Sequence, residues 1–252
     1  MQLGSHLTPQ ARERIATADR VLYLVDPVAA LGIIQLNSSA ESLDRFYASD
    51  QPRAQIYEEI VEHALAFVRA GEHVCLVSYG HPGVFGDPFH ESVRRARREG
   101  YPAEMLPAIS SEDCLFADLL IDPAASGRQT FDATDFLVHR RRFDPTSALV
   151  LLQVAMTGET GLNAEDDRHG VRVLADVLAQ TYGEAHEVFL YEAAVHAIAE
   201  PSIQRVALRD VAARVSRATT LFVPPLGQAP ADRDMMAILG LTQTRSSSGY
   251  SK

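Results

Sequence analysis

Two side chains at the start of a long helical segment have the types needed for proton and charge chemistry. Arg53 and Tyr57 are four residues apart, so a helix would place both on the same face. A guanidinium group beside a phenol can stabilise an anion, and Tyr47 lies just upstream, where it can share the same site. The alternative is structural, because an arginine at the head of a buried stripe often extends its charged end into water. The pattern alone leaves both interpretations open.

A glycine-rich loop, GHPGVF, follows the apolar run VCLVSY that begins at Val74. Gly80 and Gly83 allow the backbone to approach a ligand closely, and Pro82 stiffens the turn. Ligands of open α/β sheets bind at the carboxyl ends of strands, so this segment is a candidate binding loop. Glycine and proline after a strand also form ordinary turns, so the pattern by itself does not decide between the two.

Other polar residues give weaker indications. Gln153 lies inside the otherwise apolar run SALVLLQVAM, so its amide needs partners from the backbone or from a ligand. No second histidine or cysteine stands at metal-site spacing around His81, so no metal site is predicted there. Asp166 and Asp167 indicate the start of a helix rather than a metal site. The sequence has no GxSxG, P-loop or GxGxxG pattern, the marks of serine hydrolases, NTPases and standard dinucleotide-binding proteins.

The composition excludes several classes of partner. The 252 residues, 46% of them hydrophobic, allow one large domain or two modest ones. No apolar run has the length of a membrane span and no signal peptide is evident, so we expect a cytoplasmic protein without membrane contact. A formal charge of −10 disfavours nucleic acid, and we expect the basic runs at 94–98 and 139–142 to be solvated helix surface. Cys75 and Cys114 lie in apolar runs and are predicted to be buried thiols.

Helical and strand patterns alternate in the first hundred residues. The predicted helices cover 5–17, 27–36, 53–70 and 88–100, and the predicted strands cover 20–25 and 74–79, with an extended piece at 103–106. In the helix over 53–70, the spacing predicts a core-facing stripe of Tyr57, Val61, Ala64 and Val68. Strands that alternate with helices predict parallel pairing and a three-layer α/β domain.

After Pro107 the pattern changes. A helix capped by Ser110, with Asp113 three residues later, precedes the apolar strand 147–156. Further strands are predicted at 188–191, 202–208 and 219–223, and further helices at 169–182 and 232–239. We therefore predict an α/β fold of two domains, residues 1–106 with the GHPGVF loop and residues 107–242, followed by a flexible tail at 243–252.

Five segments carry a family resemblance that runs in order through nearly the whole chain. They are SYGHPGVF (78–85), RREGYPAEMLPAISSEDCLFADLLIDP (97–123), FDATDFL (131–137), LLQVAMTGE (151–159) and TTLFVPP (219–225). Together they resemble the methyltransferase domain of the borosin family, in the tetrapyrrole methylase-like superfamily. The resemblance implies two α/β domains of the class III methyltransferase fold. It implies S-adenosylmethionine in the cleft between them, S-adenosylhomocysteine as product, no metal, and repeated methylation of backbone amide nitrogens in a peptide.

The resemblance also assigns site residues. Its cofactor-binding positions fall on Tyr79, Gly80, His81, Val84, Phe85, Ser110, Ser111, Gln153, Thr219, Thr220 and Leu221. Its catalytic arginine and tyrosine fall on Arg53 and Tyr57, and Tyr47 matches another site tyrosine. The lone pair of an amide nitrogen is committed to peptide resonance, so the nitrogen must become imidate-like before it reacts. A tyrosine whose pKa is lowered by Arg53 is expected to accept the proton, and the arginine to stabilise the imidate oxygen.

The sequence differs from the family pattern in three ways. The family opens with a strand that ends in a Gly-x-Gly turn, and this strand is missing where the sequence starts at Met1. A further site tyrosine of the fused fungal members is Asp44 here. No Val/Ile-rich core peptide precedes Lys252, so we expect a separate precursor peptide, as in the split bacterial members that make ribosomally synthesised, modified peptides. Family members are commonly interlocked homodimers, so we also expect a homodimer.

Two other functions are compatible with the sequence. The same fold methylates tetrapyrroles and other small molecules, although the FADLLIDP segment and the arginine–tyrosine pair favour a peptide. A non-catalytic peptide-binding subunit is compatible with the missing first strand. Binding of S-adenosylmethionine separates the enzymes from the binding subunit.

Overall fold

The computed structural model describes residues 3–48, 51–159, 168–196 and 198–241. The chain divides into two compact units. The first unit contains the described residues of 1–114 and 193–200, and the second contains those of 115–159, 165–192 and 201–252. The first boundary between the units lies after residue 114, whereas the sequence analysis placed it after residue 106. In the described part of the chain, no helix is both long and apolar enough to cross a membrane.

The first unit contains a parallel sheet with the strand order β2-β1-β3. Its strands are β1 (Arg20–Leu24), β2 (Ala40–Ser42) and β3 (Val74–Ser78). Tyr23 of β1 pairs with Ser42 of β2, and Leu24 pairs with Ser78 of β3, so the carboxyl ends of the strands lie at one edge. This confirms the parallel pairing predicted here. The sequence analysis missed β2, which has three residues and no apolar pattern.

Local sequence sets the starts of the helices in this unit. They are α1 (Leu3–His6), α2 (Pro9–Thr17), α3 (Pro27–Leu36), α4 (Arg53–Arg69), α5 (Asp87–Arg98) and α6 (Ser111–Asp118). Helix α6 begins in the first unit, and its residues from Leu115 onward are assigned to the second. Thr8 caps α2 by accepting a hydrogen bond from the amide of Ala11, and proline occupies the first turn. Asp26 caps α3 in the same way. The helix predicted over 5–17 is therefore divided into α1 and α2 at Thr8, whereas the helix predicted over 27–36 has the observed bounds.

Helix α4 buries a wider surface than a single stripe. One set of its residues packs with Leu22 and Leu43 beside the sheet, and another packs with Ala96 of α5. Its buried residues are Ile56, Ile60, Val61, Ala64 and Leu65. Of the predicted stripe, Val61 and Ala64 are buried, whereas Tyr57 and Val68 are only half-buried. Tyr57 still packs against the cluster that contains Leu22, at the edge of the core surface of α4.

The basic run at 94–98 lies on α5, and its charges are partly neutralised by neighbouring carboxylates. Arg95 pairs with Glu58 and Glu62 of α4 at 2.7 and 2.6 Å. Arg98 is exposed and pairs with Glu91 at 2.7 Å. The run is therefore helix surface, as predicted, and exposed pairs of this kind add little to stability individually.

The second unit contains a mixed sheet with the order β4-β5-β8-β6-β7. Its strands are β4 (Arg128–Asp132), β5 (Ala148–Leu152), β6 (Glu187–Glu192), β7 (Ser202–Ala207) and β8 (Thr220–Val223). Its helices are α7 (Ala133–Val138), α8 (His169–Tyr182), α9 (Val211–Arg214) and α10 (Arg233–Ile238). Only β4 and β5 pair in parallel, and the other pairings are antiparallel. All five residues of β5 are buried, which explains its unbroken apolar sequence.

Cys75 and Cys114 form no disulfide with each other, and both are half-buried. Burial raises the pKa of the Cys75 thiol to about 11, and the nearby charge of Arg14 opposes that shift. The absence of a disulfide between them is as predicted, although their burial is less complete. The tail at 243–252 and the pair Asp166 and Asp167 lie outside the described residues.

Asn37 connects three segments of the first unit, which gives a testable expectation. Its side-chain amide donates to the carbonyls of Ile15 and Ala18 at 2.9 and 2.8 Å, and its side-chain oxygen accepts from the amide of Ser39 at 2.9 Å. Asn37→Asp removes both donors and places a carboxylate against two carbonyls. We expect it to lower the free energy of unfolding by about 2–4 kcal/mol in urea denaturation. Gln35→Glu, the same chemical change at an exposed position, is expected to change it by less than about 0.5 kcal/mol.

Candidate functional site

The catalytic residues predicted from the sequence follow the carboxyl edge of the first sheet. Tyr47 lies in a 3-10 helix, Asp44–Ala48, directly after β2. Arg53 is the first residue of α4, and Tyr57 lies one turn later on the same helix. Both tyrosines are half-buried against the apolar cluster that contains Leu22. The fold therefore holds the two phenols against one apolar surface.

Tyr47 and Tyr57 share one electrostatic environment. The charge of Arg53 acts on both phenols, and so does Tyr79 from the loop after β3. The carboxylate of Asp44 also acts on Tyr47, and that of Asp87 acts on Tyr57. The structure thus brings together one cation, three phenols and two carboxylates, all in the first unit.

Burial raises the pKa of both Tyr47 and Tyr57 above the ordinary value of a phenol. For Tyr47, the neighbouring Tyr57 and Tyr79 raise the pKa further. Arg53 lowers the pKa of each phenol, as expected from the sequence, but burial outweighs it. The expectation of a net lowered tyrosine pKa is therefore wrong for this structure. At neutral pH both hydroxyls keep their protons and can donate hydrogen bonds.

Two histidine side chains fix the loop after β3. The amide of Gly83 donates to Nδ1 of His81 at 3.0 Å, and the carbonyl of Gly83 accepts from Nε2 of His90 at 3.0 Å. The hydroxyl of Ser78 donates to the carbonyl of Gly80 at 3.0 Å. His81 is therefore a structural residue of the loop. His90 was missed by the sequence analysis, although its position in the first turns of α5 places it within reach of the loop.

Gly86 closes the loop where it meets α5. A β-carbon at this position would lie 1.9 Å from the carbonyl oxygen of Pro82, so only glycine fits without a shift of the backbone. The sequence analysis emphasised Gly80 and Gly83 and missed the confinement of Gly86. Gly83 is also confined, since its β-carbon would meet the ring of His81 and the sulfur of Met105.

The loop exposes apolar surface that would suit a ligand. Tyr79, Val84 and Phe85 are 58%, 39% and 46% exposed. Phe85 adopts a φ of 54°, in the left-handed region that a bulky residue rarely occupies. Strained residues of this kind are concentrated at functional sites, because the surrounding structure must hold them in place. The loop therefore has the character of a binding site for a partly apolar ligand.

A cavity of about 820 Å³ extends from this loop along β3. Ser78, Tyr79, Gly80 and Pro82 line it at the loop, and residues 101–108 line it as well. Its volume lies within the range of small-molecule and cofactor sites. The cavity belongs entirely to the first unit.

Ser110 and Ser111 lie at the start of α6. The hydroxyl of Ser110 donates to the carboxylate of Asp113 at 2.6 Å and accepts from the amide of Asp113 at 3.1 Å. The carboxylate also accepts from the amide of Ser110 at 2.7 Å. This arrangement confirms the predicted capped helix, and the buried Ser110 side chain is occupied by it. Ser111 is half-buried.

In the second unit, Gln153 directly follows β5 and is half-buried with a φ of 58°. Thr219 and Thr220 are buried, and the hydroxyl of Thr219 accepts a hydrogen bond from the amide of Ser216 at 2.9 Å. Leu221 has no exposed surface and lies in β8 between β5 and β6. Its side chain therefore packs in the core, where a ligand cannot reach it, whereas Gln153 stands at a strand end in a strained conformation.

Within the described ranges, no three histidine, cysteine, aspartate or glutamate side chains converge as a metal ion would require. The groups that gather at this edge of the sheet are instead phenols, a guanidinium and exposed apolar side chains. Their chemistry is hydrogen bonding and proton transfer.

Comparison with known proteins identifies a family and several relatives. The model of the family described as tetrapyrrole (corrin/porphyrin) methylases matches residues 3–220. A methyltransferase joined to the precursor of the cyclic peptide dendrothelin A, from Dendrothele bispora, is 37% identical over 240 residues, which are 92% of this chain and 58% of that protein. The corresponding omphalotin A protein of Omphalotus olearius is 36% identical over 93% of this chain and 58% of its own length. The chain thus spans less than two thirds of these relatives.

Solved structures share the fold at low sequence identity. Uroporphyrin-III C-methyltransferase from Thermus thermophilus matches with a TM-score of 0.60 and 19% identity, over 88% of this chain and 89% of that one. A structure of such an enzyme in complex with S-adenosylhomocysteine matches with a TM-score of 0.55 and 21% identity, over 89% of this chain and 94% of that one. These similarities confirm the predicted tetrapyrrole methylase-like fold.

The close contact at Gly86 predicts that the loop tolerates no side chain there. In Gly86→Ala the new β-carbon must displace the carbonyl of Pro82. We expect a loss of about 2 kcal/mol in the free energy of unfolding, with faster amide hydrogen exchange at residues 83–85. Gly227→Ala is the matched control, because a β-carbon there meets nothing within 4 Å. Equal stability and exchange in the two variants would contradict the role of Gly86.

Proposed function

Because this chain belongs to the tetrapyrrole (corrin/porphyrin) methylase family, we propose that it is an S-adenosylmethionine-dependent methyltransferase that acts on backbone amide nitrogens of a peptide. The observation that carries the proposal is the grouping of Arg53 with two half-buried phenols, Tyr47 and Tyr57, and with Tyr79 of the loop after β3. The relatives named as methyltransferases joined to cyclic-peptide precursors support the peptide class.

The loop after β3 offers apolar surface that suits the adenosyl group of S-adenosylmethionine. Exposed Tyr79, Val84 and Phe85 offer apolar contact, and the backbone at Gly80 can approach the ligand closely. When bound, the cofactor supplies an electrophilic methyl group on sulfur. The proposal keeps Gln153, Thr219 and Thr220 of the second unit, with Ser110 and Ser111, as further contacts.

The chain's own groups then activate the acceptor. The guanidinium of Arg53 and a protonated phenol are hydrogen-bond donors, and donors at the amide oxygen stabilise the charge that develops as the amide becomes an imidate. The proton that leaves the amide nitrogen goes to the phenolate oxygen of Tyr57, where an O–H bond forms. The raised pKa of Tyr57 makes its phenolate rare at neutral pH but more basic. A strong base suits an amide proton, which is far less acidic than an ordinary phenol.

The remaining parts of the proposal concern partners. The peptide is a separate precursor, the enzyme is a homodimer, and both are in the cytoplasm. The match covers 58% of the length of each of these relatives. Sedimentation velocity at micromolar concentration distinguishes the dimer from a monomer.

Co-expression tests the reaction and its substrate. The chain is produced alone and together with each small open reading frame next to its gene, and every product is analysed by mass spectrometry. Steps of 14 daltons that fragmentation places on backbone amides of a separate peptide are expected. Steps on this chain itself would contradict the separate precursor. Methylation of uroporphyrinogen in place of any peptide would establish the small-molecule alternative, and no binding of S-adenosylhomocysteine in calorimetry would favour a non-catalytic subunit.

The pKa of Tyr57 predicts how the rate depends on pH. Its pKa lies above the ordinary value near 10, so the phenolate fraction rises about tenfold for each pH unit between 7 and 9. We expect the single-turnover rate with the identified peptide to rise with that slope. Tyr57→Phe should lower the rate by about 100-fold or more and remove the slope, with S-adenosylhomocysteine affinity unchanged.

Tyr182→Phe is the matched control for this substitution. Its hydroxyl lies in the core of the second unit, where it has no hydrogen-bond partner, so its removal should leave rate and slope as they are. Arg53→Lys keeps the charge but loses the planar pair of donors, and should retain part of the rate. A pH-independent rate in the unsubstituted enzyme would show that the proton of Tyr57 is not involved.

A further inference from the structure

We propose that His63 of α4 is a positioning residue, which holds the 3-10 helix Asp44–Ala48 against α4 and thereby fixes the phenol of Tyr47. The inference rests on the function proposed above, because it concerns the rate of methyl transfer. In this proposal His63 contacts neither the peptide nor the cofactor, and its effect on the reaction passes through Tyr47.

Tyr47 depends on neighbouring elements for its position. Its hydroxyl forms no hydrogen bond with another described residue, and the 3-10 helix that carries it has only five residues. The hydrogen-bond geometry of a 3-10 helix is poorer than that of an α-helix, so contacts from outside must hold a segment this short. Helix α4, which carries Arg53 and Tyr57, packs beside it in the same apolar cluster. The contacts between these two helices therefore set the spacing of the three side chains.

Polar contacts join His63 to β2 and to the 3-10 helix. Nε2 of His63 lies 3.0 Å from Oε1 of Glu41, and a guanidinium nitrogen of Arg45 lies 2.8 Å from the same oxygen. An ionised carboxylate can only accept, so Nε2 of His63 carries a hydrogen and donates it. The same guanidinium nitrogen lies 3.1 Å from Nε2. One carboxylate oxygen thus joins side chains of α4, β2 and the 3-10 helix.

The imidazole ring of His63 also packs between two phenylalanine rings. Its centroid lies 5.4 Å from that of Phe46 in the 3-10 helix and 5.1 Å from that of Phe67, one turn later in α4. Both distances are typical of attractive aromatic pairs. The guanidinium of Arg45 covers the ring of Phe46 at 4.9 Å. The two residues that His63 contacts in the 3-10 helix, Arg45 and Phe46, immediately precede Tyr47.

These contacts are partly shielded from water. The side chain of His63 is 20% exposed and that of Glu41 is 29% exposed, so solvent screens their interaction less than that of a fully exposed pair. An apolar side chain could also fill the space between the two phenylalanine rings, but it would allow several arrangements of the 3-10 helix. A polar group with fixed partners favours one arrangement. The contacts of His63 therefore suit a role in positioning rather than in packing alone.

A double-mutant cycle tests whether His63 acts through Tyr47. His63→Leu keeps an apolar side chain and removes the donor to Glu41, whereas His63→Gln retains an amide donor in place of Nε2. We expect His63→Leu to lower the single-turnover rate by about tenfold or more, with unchanged affinity for the peptide and for S-adenosylhomocysteine, and His63→Gln to recover most of that rate. In the Tyr47→Phe variant, adding His63→Leu should lower the rate further by less than about twofold.

Fluorine NMR of the chain labelled with fluorotyrosine reads the position of Tyr47 without turnover. Its resonance is identified by its loss in Tyr47→Phe. His63→Leu should shift or broaden this resonance and leave that of Tyr182, in the second unit, unchanged. His139→Leu is the matched control, because His139 also pairs with a carboxylate, that of Asp135 at 2.9 Å, but in the second unit. It should change neither the Tyr47 resonance nor the rate.

Two results overturn the proposal. One is a Tyr47 resonance that is the same in His63→Leu and in the unsubstituted chain. The other is a full, additive loss of rate in the double variant, which would mean that His63 acts independently of Tyr47. If His63→Leu does not fold, Glu41→Gln takes its place in both experiments, since it weakens the acceptor and keeps its size. A shifted Tyr47 resonance in a chain that methylates no peptide confirms that His63 holds Tyr47 and contradicts only the proposed function.

Discussion

The parallel pairing of β1 with β2 and β3 is the constraint on which the candidate site depends. In this register the three strands end together, with Tyr23 opposite Ser42 and Leu24 opposite Ser78. The segments that follow β2 and β3 therefore begin at the same edge of the sheet, one on each side of β1, although more than thirty residues separate them in the chain. One supplies Tyr47 and the other supplies Tyr79, and α4 adds Arg53 and Tyr57 from its first turns. A slip of one residue in β3 would turn Val74 and Leu76 away from α4 and move the loop with them.

Burial and charge act in opposite directions on the phenols at this edge. The apolar cluster around Leu22 desolvates Tyr47 and Tyr57, which raises the pKa of each, while Arg53 lowers it. Because burial dominates, the resting state holds neutral phenols beside a fixed cation. Such a state offers donors to a developing oxyanion without reorganisation, which is how preorganised sites stabilise charge.

The sequence predicted the elements with strong local signals. Helices over Pro27–Leu36 and His169–Tyr182 have the bounds that their caps and periodicity indicate, and β3 was recognised from its apolar run. Strand β2 was missed because three residues of mixed polarity carry no periodic signal. Features that depend on tertiary packing were also missed. The net pKa of Tyr57 depends on what covers the phenol, and the contact at Gly86 depends on where the carbonyl of Pro82 turns back.

The candidate site residues show the same division between local and tertiary information. The types and spacing of Arg53, Tyr57 and Tyr47 indicate a site from the sequence alone, and the fold brings them into one environment. For Leu221, the resemblance gave a position but no account of exposure, and the position is buried between two strands. Sequence similarity aligns the chain, whereas access to a side chain is decided by its neighbours in space.

The loop and the open edge are two consequences of one strand. At its carboxyl end β3 leads into a loop whose glycine amide and carbonyl are held by His81 and His90, so the exposed side chains there keep a fixed position. Along its length the same strand lacks a partner on one side among the described residues. The cavity of about 820 Å³ is lined by Val74–Ser78 of this strand and by Tyr79 and Gly80 of the loop. The packing of β3 against its neighbours therefore sets the position of the loop and the shape of the cavity together.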